Sequence, residues 1–151
     1  MTWYFSSMAR RSQHHTSRYC TIIALIIATH GLATDLPLIP FGSTWKYLDN
    51  GSNQGTTWRA NAFNDAAWSS GPAELGYGDG DEATVVSYGP NASAKYVTTY
   101  FRKSITIPDP TAFAGYAMRI HRDDGVIVYV NGIEVLRQNF SQGTISSSAL
   151  A

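Results

Sequence analysis

The densest group of potential ligand atoms in the chain is Asp79-Gly80-Asp81-Glu82. Carboxylates in a glycine-spaced loop can turn several oxygens toward one point. Calcium takes about six to eight oxygen ligands from carboxylates and backbone carbonyls. Asp79, Asp81 and Glu82 are therefore the candidate metal ligands, and Ca2+ is the candidate cofactor. The spacing is not that of an EF-hand, which needs a longer ordered ligand series. A solvated turn has the same composition, so both readings stand at this point.

Aromatic rings form the second group. Pyranose sugars present apolar C–H faces, and flat Trp or Tyr rings stack on them. Trp45, Trp58, Trp68, Tyr77 and Tyr88 are the candidates. The tryptophans also suit the core of a small domain that lacks disulfides. Tyr77 and Tyr88 fall in loops and, with Trp58, make the expected ligand-binding set.

Other constellations are weak. Asp123 and Asp124 are adjacent, and adjacent residues of an extended segment point to opposite faces. Paired acid–base work by glycosidases needs two opposed carboxylates at a defined separation. Asp124-Gly125 reads better as a turn, with one Asp bonding local amides or pairing with Arg122 or Arg102. His121 is the only histidine after residue 33, and a single histidine cannot build a zinc site without other strong ligands. The sequence shows no nucleophile elbow, zincin motif or phosphate-cradling glycine loop. No catalytic residue is expected in this chain. Asn50-Gly-Ser, Asn91-Ala-Ser and Asn139-Phe-Ser match the N-glycosylation pattern.

Short strands must position these groups. Val126-Ile127-Val128-Tyr129-Val130, then Asn131-Gly132, then Ile133-Glu134-Val135-Leu136 predicts a hairpin. Asn-Gly supplies the two positive φ angles of a type I′ turn. A two-residue loop pairs Val130 with Ile133, Tyr129 with Glu134 and Val128 with Val135, which puts Val128, Val130, Ile133 and Val135 on the core side. Thr44–Leu48, Thr84–Tyr88, Thr98–Ile107 and Tyr116–Ile120 are further strand candidates. Trp58, Phe63 and Trp68 recur every five residues, a period of neither helix nor strand. They predict an irregular segment pinned by rings, with one helical turn at Asp65–Trp68 capped by Asn64 or Asp65. No segment keeps an apolar period of 3.6, so the fold class is all-β, an antiparallel jelly roll or β-sandwich. No closing strand is evident before residue 151, and the domain is expected to lack its last strands.

The N-terminus reads as an export signal. Arg10, Arg11 and Arg18 precede the apolar run Thr21–Ala28, which is too short to span a bilayer. Gly31-Leu32-Ala33 offers small residues for cleavage after Ala33. The expected organisation is a signal peptide at 1–33, a linker at 34–40 and a β-sandwich domain at 41–151, in a secreted or cell-surface protein. A buried strand or a membrane anchor is the other reading of the apolar run. Cys20, the only cysteine, would leave with the signal, so no disulfide is expected. Net charge is zero, but three Arg and no acid precede Asp35. The remaining eight Lys/Arg face eleven Asp/Glu, a balance near −3. That is no footprint for nucleic acid.

The ordered set Trp45-x-Tyr47, Trp58, Phe63-Asn64-Asp65-x-x-Trp68, Gly71, Leu75-Gly76-Tyr77-Gly78, Tyr100-Phe101-Arg102, Asp123-Asp124-Gly125 and Val128-Tyr129-Val130-Asn131-Gly132 resembles a galactose-binding-like jelly-roll module. Such modules accompany secreted bacterial multidomain proteins. They are similar to the sugar-binding N-terminal domain of family 2 glycoside hydrolases. The resemblance spans roughly residues 41–145. A PA14-type sandwich also carries Asp-Asp-Gly before a strand and is the nearest competitor. The resemblance implies a non-catalytic module whose partner is carbohydrate or a neighbouring domain of the same chain, with no membrane contact after cleavage. The alternative is the N-terminal piece of a secreted hydrolase, a glycoside hydrolase or phosphoesterase, with its active site beyond residue 151.

Overall fold

The computed structural model describes residues 36–151 in full and, before them, the backbone of two strands, Thr2–Met8 and Leu25–Ala28. The predicted cleavage point after Ala33, and Cys20, lie outside the described residues. In chain order the strands are β1 (Thr2–Met8), β2 (Leu25–Ala28), β3 (Leu36–Pro37), β4 (Thr44–Leu48), β5 (Ser69–Pro72), β6 (Leu75–Gly76), β7 (Thr84–Val85), β8 (Thr98–Ser104), β9 (Ala117–Arg119), β10 (Gly125–Val130) and β11 (Ile133–Gln138). Two 3-10 turns, Thr57–Arg59 and Pro110–Ala112, are the only helical elements among the described residues. The chain is all-β, and every strand pair is antiparallel except β6 with β7.

The main sheet has six strands in the order β11-β10-β1-β8-β4-β5; a smaller one runs β3-β2-β9. Alternation along the main sheet sorts its side chains onto two faces. Trp45, Phe101, Val126 and Val128 face one apolar cluster, which Ile39, Ala73, Leu75 and Val86 cover. Met118 and Ile120, in and just after β9, pack against the same cluster. Tyr100, Ile127 and Tyr129 face the other cluster, with Trp58 and Trp68. The predicted ring-pinned segment is thus the lid of the second face. The helical turn expected at Asp65–Trp68 is a single hydrogen-bonded turn instead: Trp68 N–H donates to Asp65 O at 3.0 Å, and Ala66 N–H donates to the Asn64 side chain at 3.0 Å.

Arg102 fastens that lid. It is 2% exposed, and its Nε lies 2.8 Å from Asp65 Oδ2. Its terminal nitrogens donate to the carbonyls of Trp58, Ala60 and Phe63. A guanidinium spreads five donors over a fork, which lets one side chain gather an irregular stretch of backbone. Arg102, one of the partners open to the Asp123-Asp124 step in the sequence reading, is paired with Asp65.

The hairpin forms, with Asn131 at φ 50° and Gly132 at φ 82°. Tyr129 pairs with Glu134 and Val130 with Ile133, as predicted. The register then shifts between Val128 and Tyr129, and Val128 faces Leu136. The expected pairing of Val128 with Val135 is corrected: a bulge adds one residue to β11. Leu136 gains the core side, while Ile133 and Val135 are 69% and 50% exposed. They were expected in the core, but β11 is the sheet's edge and nothing covers them there. The predicted strand at Thr84–Tyr88 contracts to Thr84–Val85, because its partner β6 has only two residues.

The Asp-Asp-Gly step makes the corner before β10. Asp123 Oδ1 accepts Asp124 N–H at 2.7 Å, and Arg122 Nη1 donates to Asp124 O at 2.7 Å. Asp124 takes φ 57°. Gly125 is fully enclosed, and a Cβ there would meet the Phe140 ring and Ala151. The local turn role expected for this pair is what the chain shows.

Candidate functional site

The parallel pair β6–β7 draws both ends of residues 77–83 together. Thr84 N–H donates to Glu74 O and Val86 N–H to Gly76 O, each at 2.9 Å. The loop so closed carries Tyr77 at its start and the acidic group after it; Tyr88 follows β7. Three sequence-predicted residues are thereby gathered: one carboxylate oxygen from each of Asp79, Asp81 and Glu82 lies within 4.8 Å of the others. Ligand oxygens around one calcium at about 2.3–2.6 Å are separated by distances of that order. The donor set is hard oxygen, which suits Ca2+ or Mg2+ rather than a soft metal.

Glu82 also organises the loop itself. Its carboxylate accepts Asp79 N–H at 2.9 Å and Gly80 N–H at 3.0 Å. These amide bonds, that of Asp79 foremost, hold its carboxyl below the usual carboxylate range. Glu74, five residues before Asp79, behaves oppositely. Burial first, and then the charges of Asp81, Asp79 and Glu82, push its carboxyl up, while His121 pulls it down. Glu74 and His121 thus belong to the electrostatics of the acidic loop.

Tyr77 and Tyr88 meet edge to face, with ring centroids 5.2 Å apart at 60°. Lys95 Nζ lies 4.7 Å from the Tyr77 ring centre and 5.2 Å from that of Tyr88. Tyr96 N–H donates to Tyr88 O at 2.9 Å and ties the two loop strands together. Tyr88 is 38% exposed. A ligand ring reaching these faces must displace the Lys95 ammonium or take it as a hydrogen-bond donor.

Trp58 is not part of this group. It is 3% exposed and meets Tyr100 and Tyr129 edge-on at 5.0 and 5.7 Å. Its assignment to ligand binding is corrected to core: a ring enclosed by protein offers no face to a sugar. Trp45 and Trp68 are buried likewise.

Sequence reasoning missed Lys95 and Glu74, and it weighed His121 only as a zinc ligand. A signal for Lys95 existed, since it is the only basic residue between Arg59 and Arg102, in a stretch rich in acids and tyrosines. Glu74 and His121 are far apart in the chain and had none. Comparison with known protein families, with curated proteins and with solved structures returns no match. Among the described residues no helix is long and apolar enough to cross a membrane.

Proposed function

We propose that this chain is an exported, non-catalytic jelly-roll module of the galactose-binding-like type that binds carbohydrate at Tyr77 and Tyr88. The observation that carries this reading is the pairing of half-buried Tyr77 with exposed Tyr88, with Lys95 over both rings, at the foot of a carboxylate loop. The two rings supply apolar faces, and Lys95 supplies a cationic donor for a sugar hydroxyl or carboxylate. Asp79, Asp81 and Glu82 hold a calcium ion that fixes the loop, or hold the loop through the Glu82 amide bonds alone. Aromatic faces joined to a few placed polar groups are the usual lining of a small-ligand site. The neighbouring domain of a larger protein is the other partner the resemblance implies, and it needs no glycan.

The test is glycan-array binding by the full chain, with calcium and with chelator, followed by titration calorimetry on the best ligand. Tyr88→Ala should weaken that ligand about tenfold, a loss of about 1.4 kcal/mol. Lys95→Ala should change affinity for acidic sugars more than for neutral ones. A chain that binds no glycan, or one whose binding ignores Tyr88→Ala, sinks the carbohydrate reading and leaves the architectural one.

A further inference from the structure

Lys95 occupies a corner made by two rings. Its Nζ lies 4.7 Å from the centre of the Tyr77 ring and 5.2 Å from that of Tyr88. The rings meet at 60°, with centroids 5.2 Å apart, so they enclose an angle instead of stacking. An aromatic face is electron-rich, and a cation within about 6 Å of its centre is drawn to it. One ammonium thus serves two faces at once, and Lys95 itself displays the chemistry that the corner takes. The corner is built from held parts. Tyr77 packs against the first core cluster, directly after β6. Tyr88 is fixed through its backbone. Tyr96 N–H donates to Tyr88 O at 2.9 Å. Ser87 N–H donates to the Asp49 side chain, and Gly89 N–H to Ser87 Oγ at 3.0 Å. The Tyr96 ring packs so closely on Gly89 that a Cβ there would meet it at 3.0 Å.

Lys95 is attached differently. It ends a run of five exposed residues, Asn91 to Lys95. Among the described residues no ion pair holds its ammonium. Its long flexible stem lets the head turn out to water. The local charge favours a replacement cation. From Tyr77 to Lys95 three acids, Asp79, Asp81 and Glu82, stand against Lys95 alone, a balance of −2. A segment of that sign draws in a ligand cation.

We propose that the Tyr77–Tyr88 corner is a site for a methylated ammonium group, of the kind choline carries, and that Lys95 fills it as an internal competitor. A primary ammonium is compact and strongly hydrated. A methylated one gives up less water on entering, and its methyl groups cover both ring faces. The ligand therefore takes the corner while Lys95 regains its water. This goes beyond carbohydrate binding. It shares the two rings with that reading but reverses the part of Lys95, a donor to a sugar and a rival to an ammonium.

The test is titration of the full chain with choline chloride at constant ionic strength, followed by proton NMR. Choline should bind, with its N-methyl signal moved upfield by the ring currents. Its uncharged isostere, with carbon in place of the nitrogen, should bind about fivefold more weakly or worse. Lys95→Gln empties the corner and should tighten choline about two- to fivefold, the weight of one exposed cation–π contact. Lys95 is exposed, so this variant keeps the fold. Tyr88→Ala should abolish the upfield shift. No shift with the parent chain, equal binding of the isostere, or a Lys95→Gln variant that binds choline no more tightly overturns the proposal. Lys95→Gln should weaken acidic sugars while it tightens choline. The two readings thus move in opposite directions, and failure of either leaves the other standing.

Discussion

Replacing Arg102 by Met removes the fork that holds the lid on the second sheet face while keeping most of its apolar stem. Breaking a buried pair by deleting one partner costs about 3–5 kcal/mol, because the survivor is left without compensation. Here Asp65 is the survivor, and its side chain is 27% exposed. Water can reach it, as it can reach the carbonyl of exposed Ala60. The cost should therefore fall at the low end, about 3 kcal/mol. For a domain of this size that lowers the melting temperature by about 6–12 °C. Total stability of about 5–15 kcal/mol leaves the variant folded. Urea unfolding followed by tryptophan fluorescence is the assay, since Trp58 and Trp68 lie in the segment that the fork gathers. Arg102→Lys should recover little, because an ammonium cannot reach Asp65 and three carbonyls at once. A cycle with Asp65→Asn should show strong coupling. A loss below about 1 kcal/mol, or strict additivity in the cycle, would refute the view that Arg102 holds the lid.

Three further outcomes follow from the site and its corner. Glu74 has a raised carboxyl, so folding is favoured below the unfolded value of 4.5 and that advantage is lost as pH rises through the higher folded value. Glu74→Gln should therefore raise the urea midpoint at pH 7 and flatten its dependence above pH 4.5. Glu82 has the opposite sign: its contribution is present above 4.5 and is lost as pH falls through the lower folded value. Glu82→Gln should speed hydrogen exchange at Asp79 and Gly80 at neutral pH, with the difference from the parent vanishing in acid. Gly125→Ala should cost about 1–3 kcal/mol in urea unfolding, because the Phe140 ring must move to admit a methyl group; an unchanged midpoint would mean that this corner is loosely packed.

Local chemistry was legible where one residue type dictates one geometry. Asn131-Gly132 announced the turn, and the Asn64 cap announced the bend at Asp65. Gathering of the acidic loop was legible as well, since Asp79, Asp81 and Glu82 lie so close in sequence. What the sequence hid was decided by neighbours. Nothing in Ile133-Glu134-Val135-Leu136 marks a bulge; it arises because Leu136 does better against the core beside Val128 than Val135 does at an uncovered edge. Trp58 reads equally as platform or core until Tyr100 and Tyr129 are seen around it. Lys95 joins Tyr77 and Tyr88 only through the folding of the loops between them. The place of residues 2–8 between β8 and β10 depends on pairings nearly a hundred residues or more away, which no local pattern records.

The two outer strands of the main sheet also govern how the protein behaves when crowded with copies of itself. β5 reads Ser-Ser-Gly-Pro over only four residues, and Pro72 has no N–H to offer a neighbour. β11 is bent by its bulge and carries the Glu134–Arg137 ion pair, closed at 2.7 Å. Both features work against stacking another molecule's strand in register. Concentrated solutions should therefore stay free of sheet-to-sheet fibres, although Ile133 and Val135 leave a greasy spot at one border.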